Sequence, residues 1–323
     1  MSGTTDFVAA QAVNRRNTFL LLVLLTVLAA VTGYVVGWLL QSETVDQVPL
    51  VSEAGLVAAT LMALASIGWS AISLAFGDRL VLAMAEARPI EKPDAPQLYN
   101  VVEEMSLAAG VPMPRVMILE TEVPNAFATG TKPAHGTIAV TRGLVDQMNR
   151  DELQGVVAHE MAHLANLDTR YMVVVGVTVG LIALVCDMIL RTMQWGGLSG
   201  RRRDDDRGKG GSGAALLILL LIVVAILAPL AAKAVQMAVS RQREYLADAT
   251  SVQFTRNPNG LISALGKLAA AAAPFPGVSR ATQHLYIVNP VQAMTSKTPA
   301  LLATHPDIAD RIARLRNLGA WAA

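Results

Sequence analysis

Hydrophobic residues in this chain gather in long unbroken runs instead of recurring at helical or strand spacing. Four of them, about residues 18–40, 55–76, 172–193 and 214–239, reach the ~20 residues of helix that cross a ~30 Å hydrocarbon layer. Each predicts a membrane-spanning helix. The first follows Arg15 and Arg16 but runs too long for a signal-peptide core and lacks a small-residue cleavage site, so it reads as a retained anchor. Tyr34, Trp38, Trp69 and Trp195 lie towards the ends of runs, where amphipathic rings favour the interface.

The polar stretches between the runs carry weaker periodic signals. Pro96–Ala109 alternates at helical spacing and stops at Gly110 with Pro112 beyond. Residues 115–120, about 125–129, and 137–141 have strand character and are separated by Pro and Gly, which predicts a sheet of about three strands. Asn149 with Glu152 three residues later forms a capping-box pattern, so a helix starts just before Asp151 and runs to Asn166. The fold expected is mostly α with a small β-sheet (α+β). Its organisation is a membrane hairpin over 1–78, a first soluble part over 79–170, a second hairpin over 171–239 with a polar loop at 196–213, and a second soluble part over 240–323.

Basic residues orient this arrangement. Arg15, Arg16, Arg79, Arg88 and Lys92 flank the first hairpin, whereas its connector holds Glu43, Asp46 and Glu53 and no Lys or Arg. Both soluble parts are therefore expected on the cytoplasmic side. The loop holding Arg201, Arg202, Arg203, Arg207 and Lys209 breaks the rule, and a second hairpin that does not fully cross would resolve the conflict. Asp187 and Arg191, four residues apart near a span end, read as a snorkelling pair, and Pro229 as a kink.

Composition sharpens the picture. The chain is 53% hydrophobic and 16% charged, with a mean hydropathy of +0.44. A net charge of +1 leaves no basic face for nucleic acid. One cysteine, Cys186 inside an apolar run, excludes an intrachain disulfide or a cysteine-based zinc cluster.

The chemistry lies in His159-Glu160-Met161-Ala162-His163. With five histidines in 323 residues, the chance of any His-Glu-x-x-His is below about one per cent, so the pentapeptide is read as chemistry. It sets two imidazoles on one helix face as zinc ligands, with Glu160 beside them as a base for water. A catalytic zinc usually takes a third protein ligand. No histidine follows in Leu164–Asp168. Glu244 and Asp248, on one face of a helix, are candidates: one to bind metal, the other to orient a ligand. The competing reading of Glu244 is a surface ion pair with Arg241 or Arg243, and of Asp248 a solvated helix face. His135, between Pro133 and Gly136, reads as a hairpin tip, and His284 as structural or exposed. The strand at 137–141 is a candidate partner for an extended substrate backbone.

The pentapeptide, Arg241-x-x-Glu244-x-x-Ala247-Asp248, Pro124-Asn125-Ala126-Phe127-Ala128, and Thr304-His305-Pro306 with Arg311, Ile312 and Leu315 together resemble the HtpX-type membrane zinc metallopeptidases, relatives of the CAAX prenyl endopeptidases. The resemblance covers nearly the whole chain. It implies a zincin-like core, one Zn²⁺ per chain held by His159, His163 and Glu244, and quality control of misfolded or damaged membrane proteins at an inner membrane. It makes Asn125 a candidate contact for the substrate backbone, against a turn residue after Pro124. His305 is a candidate for steadying the oxyanion, against a helix start with Pro306. Expected partners are unfolded or membrane-protein substrates and the lipid bilayer, with a homo-oligomer compatible and no nucleic acid. The rival functions are prenyl-peptide processing and a catalytically silent zinc-binding membrane scaffold. The scaffold is disfavoured because a structural site closes with a fourth protein ligand.

Overall fold

The computed structural model describes residues 7–42, 51–174, 241–271, 273, 286–287 and 306–319. The chain divides into two compact units: residues 19–73 with 178–234, and residues 1–18, 74–177 and 235–323. Of the four apolar runs, the third beyond residue 174 and the whole fourth lie outside the described residues.

Residues 19–73 of the first unit come from two long helices, α1 (Phe7–Ser42) and α2 (Glu53–Met84), whose outer ends belong to the second unit. The two lie close because small residues face each other: a Cβ on Gly33 would sit 2.6 Å from the Ala58 carbonyl oxygen. The Tyr34 hydroxyl accepts from the Ser52 N–H at 3.2 Å at the turn. Among the described residues, α2 is the one helix long and apolar enough to cross a membrane, with a mean hydropathy of 1.8. Only 6% of that span is buried, so its apolar side chains face outward, as a lipid-facing helix requires.

The second unit is built on a four-stranded sheet of order β1-β2-β4-β3, formed by β1 (Arg88–Pro89), β2 (Arg115–Leu119), β3 (Ala126–Thr129) and β4 (Thr137–Thr141). β2 and β4 run parallel, while β1 and β3 pair antiparallel at the outside. The two-residue β1 is too short to leave a sequence signal. The order corrects one expectation: β4 has a neighbour on each side, so it has no edge for a substrate, and β3 does.

The strands are buried on both faces. Ala126, Ala128, Ile138 and Val140 face a helical core of α3 (Pro96–Ala109) and, after the short α4 (Arg142–Gln147), α5 (Arg150–Ala165), while Met117, Phe127 and Ala139 pack with Val81, Leu82 and Ala85 at the end of α2. α3 ends as expected, at Gly110 in the left-handed conformation (φ 65°).

α5 is the centre of this unit and is buried on every side from Gly155 to Ala165. Both halves of the capping box form: the Asn149 side chain accepts from the Glu152 N–H at 2.9 Å, and the Glu152 carboxylate accepts from the Asn149 N–H at 2.8 Å. Glu152 also accepts from Ser263 and from Lys267, each at 2.6 Å. These two belong to a helix much later in the chain, Pro258–Ala270. Gly155 lets the two helices touch, because a Cβ there would lie 2.6 Å from the Leu261 nitrogen.

Burial opposes ionisation of Glu152, but the bonds from Lys267, Ser263 and Asn149 outweigh it and hold the carboxyl below its ordinary pKa. A depressed folded-state pKa contributes stability above the unfolded value and loses it as pH falls through the folded one. Glu152→Gln should therefore lower stability by about 1–2 kcal/mol at neutral pH, with the gap to wild type closing in acid. Thermal unfolding at a series of pH values checks this; a gap independent of pH would refute the ionised role.

Candidate metal centre

α5 carries His159 and His163 on successive turns, with their Nε2 atoms 3.2 Å apart. After Ala165 the helix breaks, and Leu167 takes a left-handed φ of 61°, a conformation that costs a non-glycine residue about 1–2 kcal/mol. That reversal starts a new helix at Asp168 and brings the Asp168 carboxylate to 3.0 Å from His163 Nδ1.

The opposing wall is the helix Arg241–Thr255. Glu244 and Asp248 both face inward and are buried. Glu244 lies 3.7 Å from His159 Nε2 and 3.5 Å from His163 Nε2, while Asp248 lies 3.0 Å from His159 Nδ1. Burial rules out the surface ion pair considered for Glu244, and Arg243 instead stacks over the Tyr171 ring at 4.4 Å.

Each histidine thus has its Nδ1 on a carboxylate and its Nε2 at a shared point beside Glu244. A carboxylate on Nδ1 fixes the proton there and leaves the Nε2 lone pair free to ligate. The ligand atoms of His159, His163 and Glu244 all lie within 4.8 Å of one another, and the three form the one such donor group found among the described residues. Two convergent imidazoles and a carboxylate are a donor set suited to a first-row divalent cation such as zinc.

Arg311 completes the cluster from the helix Ile308–Gly319. It is 0% exposed and donates to both Asp248 oxygens, from Nε at 2.9 Å and Nη2 at 2.7 Å, with Nη1 3.5 Å from Glu244. Burial would raise the Asp248 carboxyl, but the Arg311 and His159 contacts prevail and hold it near 2. The two histidines diverge: burial and the Arg311 charge lower His159, whereas Asp168 and Glu244 outweigh burial and raise His163. Burial pushes the Glu160 carboxyl up to about 7, against a hydrogen bond donated by the Ala128 N–H of β3.

The structure therefore brings together His159, Glu160, His163, Glu244 and Asp248 from the residues singled out in the sequence. Asn125 is buried at the start of β3, its side-chain oxygen accepting from the Ala126 N–H at 3.0 Å. His135 is exposed at the hairpin tip, as expected. His284 and His305 lie outside the described residues; Pro306 is described, and the helix begins two residues after it, at Ile308. Asp168 escaped sequence reasoning because only histidines were sought after the pentapeptide. Arg311 was visible only as part of a family signature, with nothing local to say that it folds onto Asp248.

A His-Glu-x-x-His helix facing a buried Glu from a second helix, over a small mixed sheet, defines a metallopeptidase. The particular family is shown by comparison with known proteins: residues 92–319 match the family described as Peptidase family M48, and the chain belongs to it. Three proteins described as "Protease HtpX homolog" are similar over most of their length. That of Thermoanaerobacter pseudethanolicus is 41% identical over 95% of this chain and 96% of its own. That of Lactiplantibacillus plantarum is 43% identical over 94% and 97%, and that of Listeria innocua 40% over 95% and 98%. A solved structure, described as "Crystal Structure of S. mikatae Ste24p", superposes with a TM-score of 0.49 at 18% identity, over 87% of this chain and 61% of that one.

If the carboxylates behind the rings set the ligand geometry, Asp168→Asn and Asp248→Asn should each weaken metal affinity about 10–100-fold. Competition with a metallochromic chelator measures this. Affinity unchanged in both variants would contradict the assigned roles.

Proposed function

We propose that this chain is a membrane-bound, zinc-dependent endopeptidase that cleaves misfolded or damaged membrane proteins near the cytoplasmic surface. The observation that carries the reading is the convergence of both Nε2 atoms on one point beside Glu244, with Glu160 on the same helix. His159, His163 and Glu244 would hold the ion, one per chain, as three protein ligands. Zinc, when bound there, would supply Lewis acidity to the reaction.

The chain's own groups do the rest. Glu160 accepts the proton of the attacking water and delivers it to the leaving amine, so one carboxylate serves both halves of the hydrolysis. The Ala128 N–H, which bonds the Glu160 carboxylate, holds it in register with β3. The outer edge of β3 is the natural place for an extended substrate, whose main chain adds there by strand pairing. Recognition through the main chain favours unfolded segments over one side-chain sequence. Asn125, just before that strand, is retained as the candidate contact for the substrate backbone, and His305 as the candidate oxyanion donor.

The membrane assignment is supported by the outward-facing apolar α2 and by the four apolar runs. The basic residues around the first hairpin favour an inner-membrane protein with both soluble parts in the cytoplasm. The bilayer itself and unfolded membrane proteins are the partners this reading requires.

Purified protein should cleave reduced, carboxymethylated α-lactalbumin. Glu160→Gln should lower cleavage by about 10²-fold or more while metal analysis still finds one zinc per chain. Cleavage by the variant at the wild-type rate would sink the assignment of Glu160 as the base.

A further inference from the structure

The outer edge of β3 is already partly occupied. The Ile287 N–H donates to the Ala126 carbonyl at 3.0 Å, two residues along the strand from the Ala128 N–H that bonds Glu160. The two side chains at this point go to opposite sides of the sheet. The Tyr286 ring meets Phe127 edge-on at 5.0 Å in the cluster that contains Met117 and Met172, whereas Ile287 lies in the helical core on the α5 side. Both are buried, at 1% and 2% exposure. Alternation of this kind is how an added strand seats its side chains. The Ile287 carbonyl in turn accepts from Arg311 Nη1 at 3.4 Å, so the guanidinium that holds Asp248 also holds this short strap.

Neighbouring strands lie about 4.8 Å apart, and one edge position takes one chain. A peptide bonding to the Ala126 carbonyl must displace Ile287. We propose that Tyr286–Ile287 is an internal occupant of the substrate edge, and that the enzyme selects extended segments whose own aromatic–aliphatic pair refills the two vacated pockets. The proposal rests on the peptidase reading above. Among the described residues, Ile287 gives β3 one ladder bond, to Ala126, and an extended peptide running the length of the strand forms several and prevails at sufficient concentration. Folded proteins offer no such free segment, so the strap restricts cleavage to unfolded chains that carry bulky apolar residues.

The test uses the full zinc-loaded chain in detergent micelles, with Glu160→Gln to hold substrate uncleaved. Hydrogen exchange at the Ile287 amide is followed as a synthetic Gly-Ser-Thr peptide carrying a central Tyr-Ile pair is added. Saturation should accelerate that exchange by at least about tenfold, and the same peptide with Ser-Ser should bind more weakly. In the otherwise wild-type enzyme, Tyr286→Ala should lower KM several-fold with kcat little changed, whereas a purely structural role would lower kcat or metal retention. Continued protection of Ile287 with peptide bound overturns the strap, and that measurement leaves Tyr286 intact, so it holds even where Tyr286→Ala fails to fold. Wild-type cleavage of carboxymethylated α-lactalbumin separates the two ideas: cleavage with unmoved protection overturns the strap alone, and neither cleavage nor binding overturns both.

Discussion

Two imidazole nitrogens 3.2 Å apart in a buried site set the terms for everything around them. Their Nδ1 atoms are each held by a carboxylate, and Glu244 closes the group. Glu160, Asp168, Glu244 and Asp248 are all buried there, against the wholly buried guanidinium of Arg311. Charge left uncompensated in a protein interior costs several kcal/mol per group. A divalent cation held by His159, His163 and Glu244 would offset much of that imbalance, and its binding would then be coupled to the folding of this unit.

The fold serves that site by rigidity. α5 is enclosed on every side, tied at its start by the capping box and by Lys267 and Ser263 on the neighbouring helix. Gly155 removes the one side chain that would keep those helices apart. The reversal at Leu167 delivers Asp168, and the last helix delivers Arg311. Ligands and supports thus arrive from separate stretches of chain, and Arg311 holds Asp248, contacts Glu244 and binds the Ile287 carbonyl.

Much of this was legible in the sequence wherever the signal is local. The capping box, the Gly110 stop, the His159–His163 spacing and the Glu244–Asp248 spacing each fix a geometry within one or two helical turns, and each is found. Strand order is a different kind of property. Nothing local in Thr137–Thr141 says that β2 and β3 flank it, so the expectation that this strand offers an open edge fails: β4 is internal and β3 lies at the outside among the described strands. The Asp168 and Arg311 contacts depend on a backbone reversal and on a contact 63 residues distant from Asp248, neither of which leaves a periodic trace. Glu244 as the third ligand came from family resemblance, since a buried ligand and a surface ion pair look alike in sequence.

If His159, His163 and Glu244 form one open zinc site, X-ray absorption at the zinc edge of the purified protein will read their atoms at the metal. One zinc per chain is expected, with two imidazole nitrogens at about 2.0–2.1 Å and carboxylate or water oxygens at about 2.0–2.2 Å, and loss of that signature in Glu244→Ala. A sulfur shell at about 2.3 Å, which would require Cys186, or an unchanged spectrum in Glu244→Ala would contradict it.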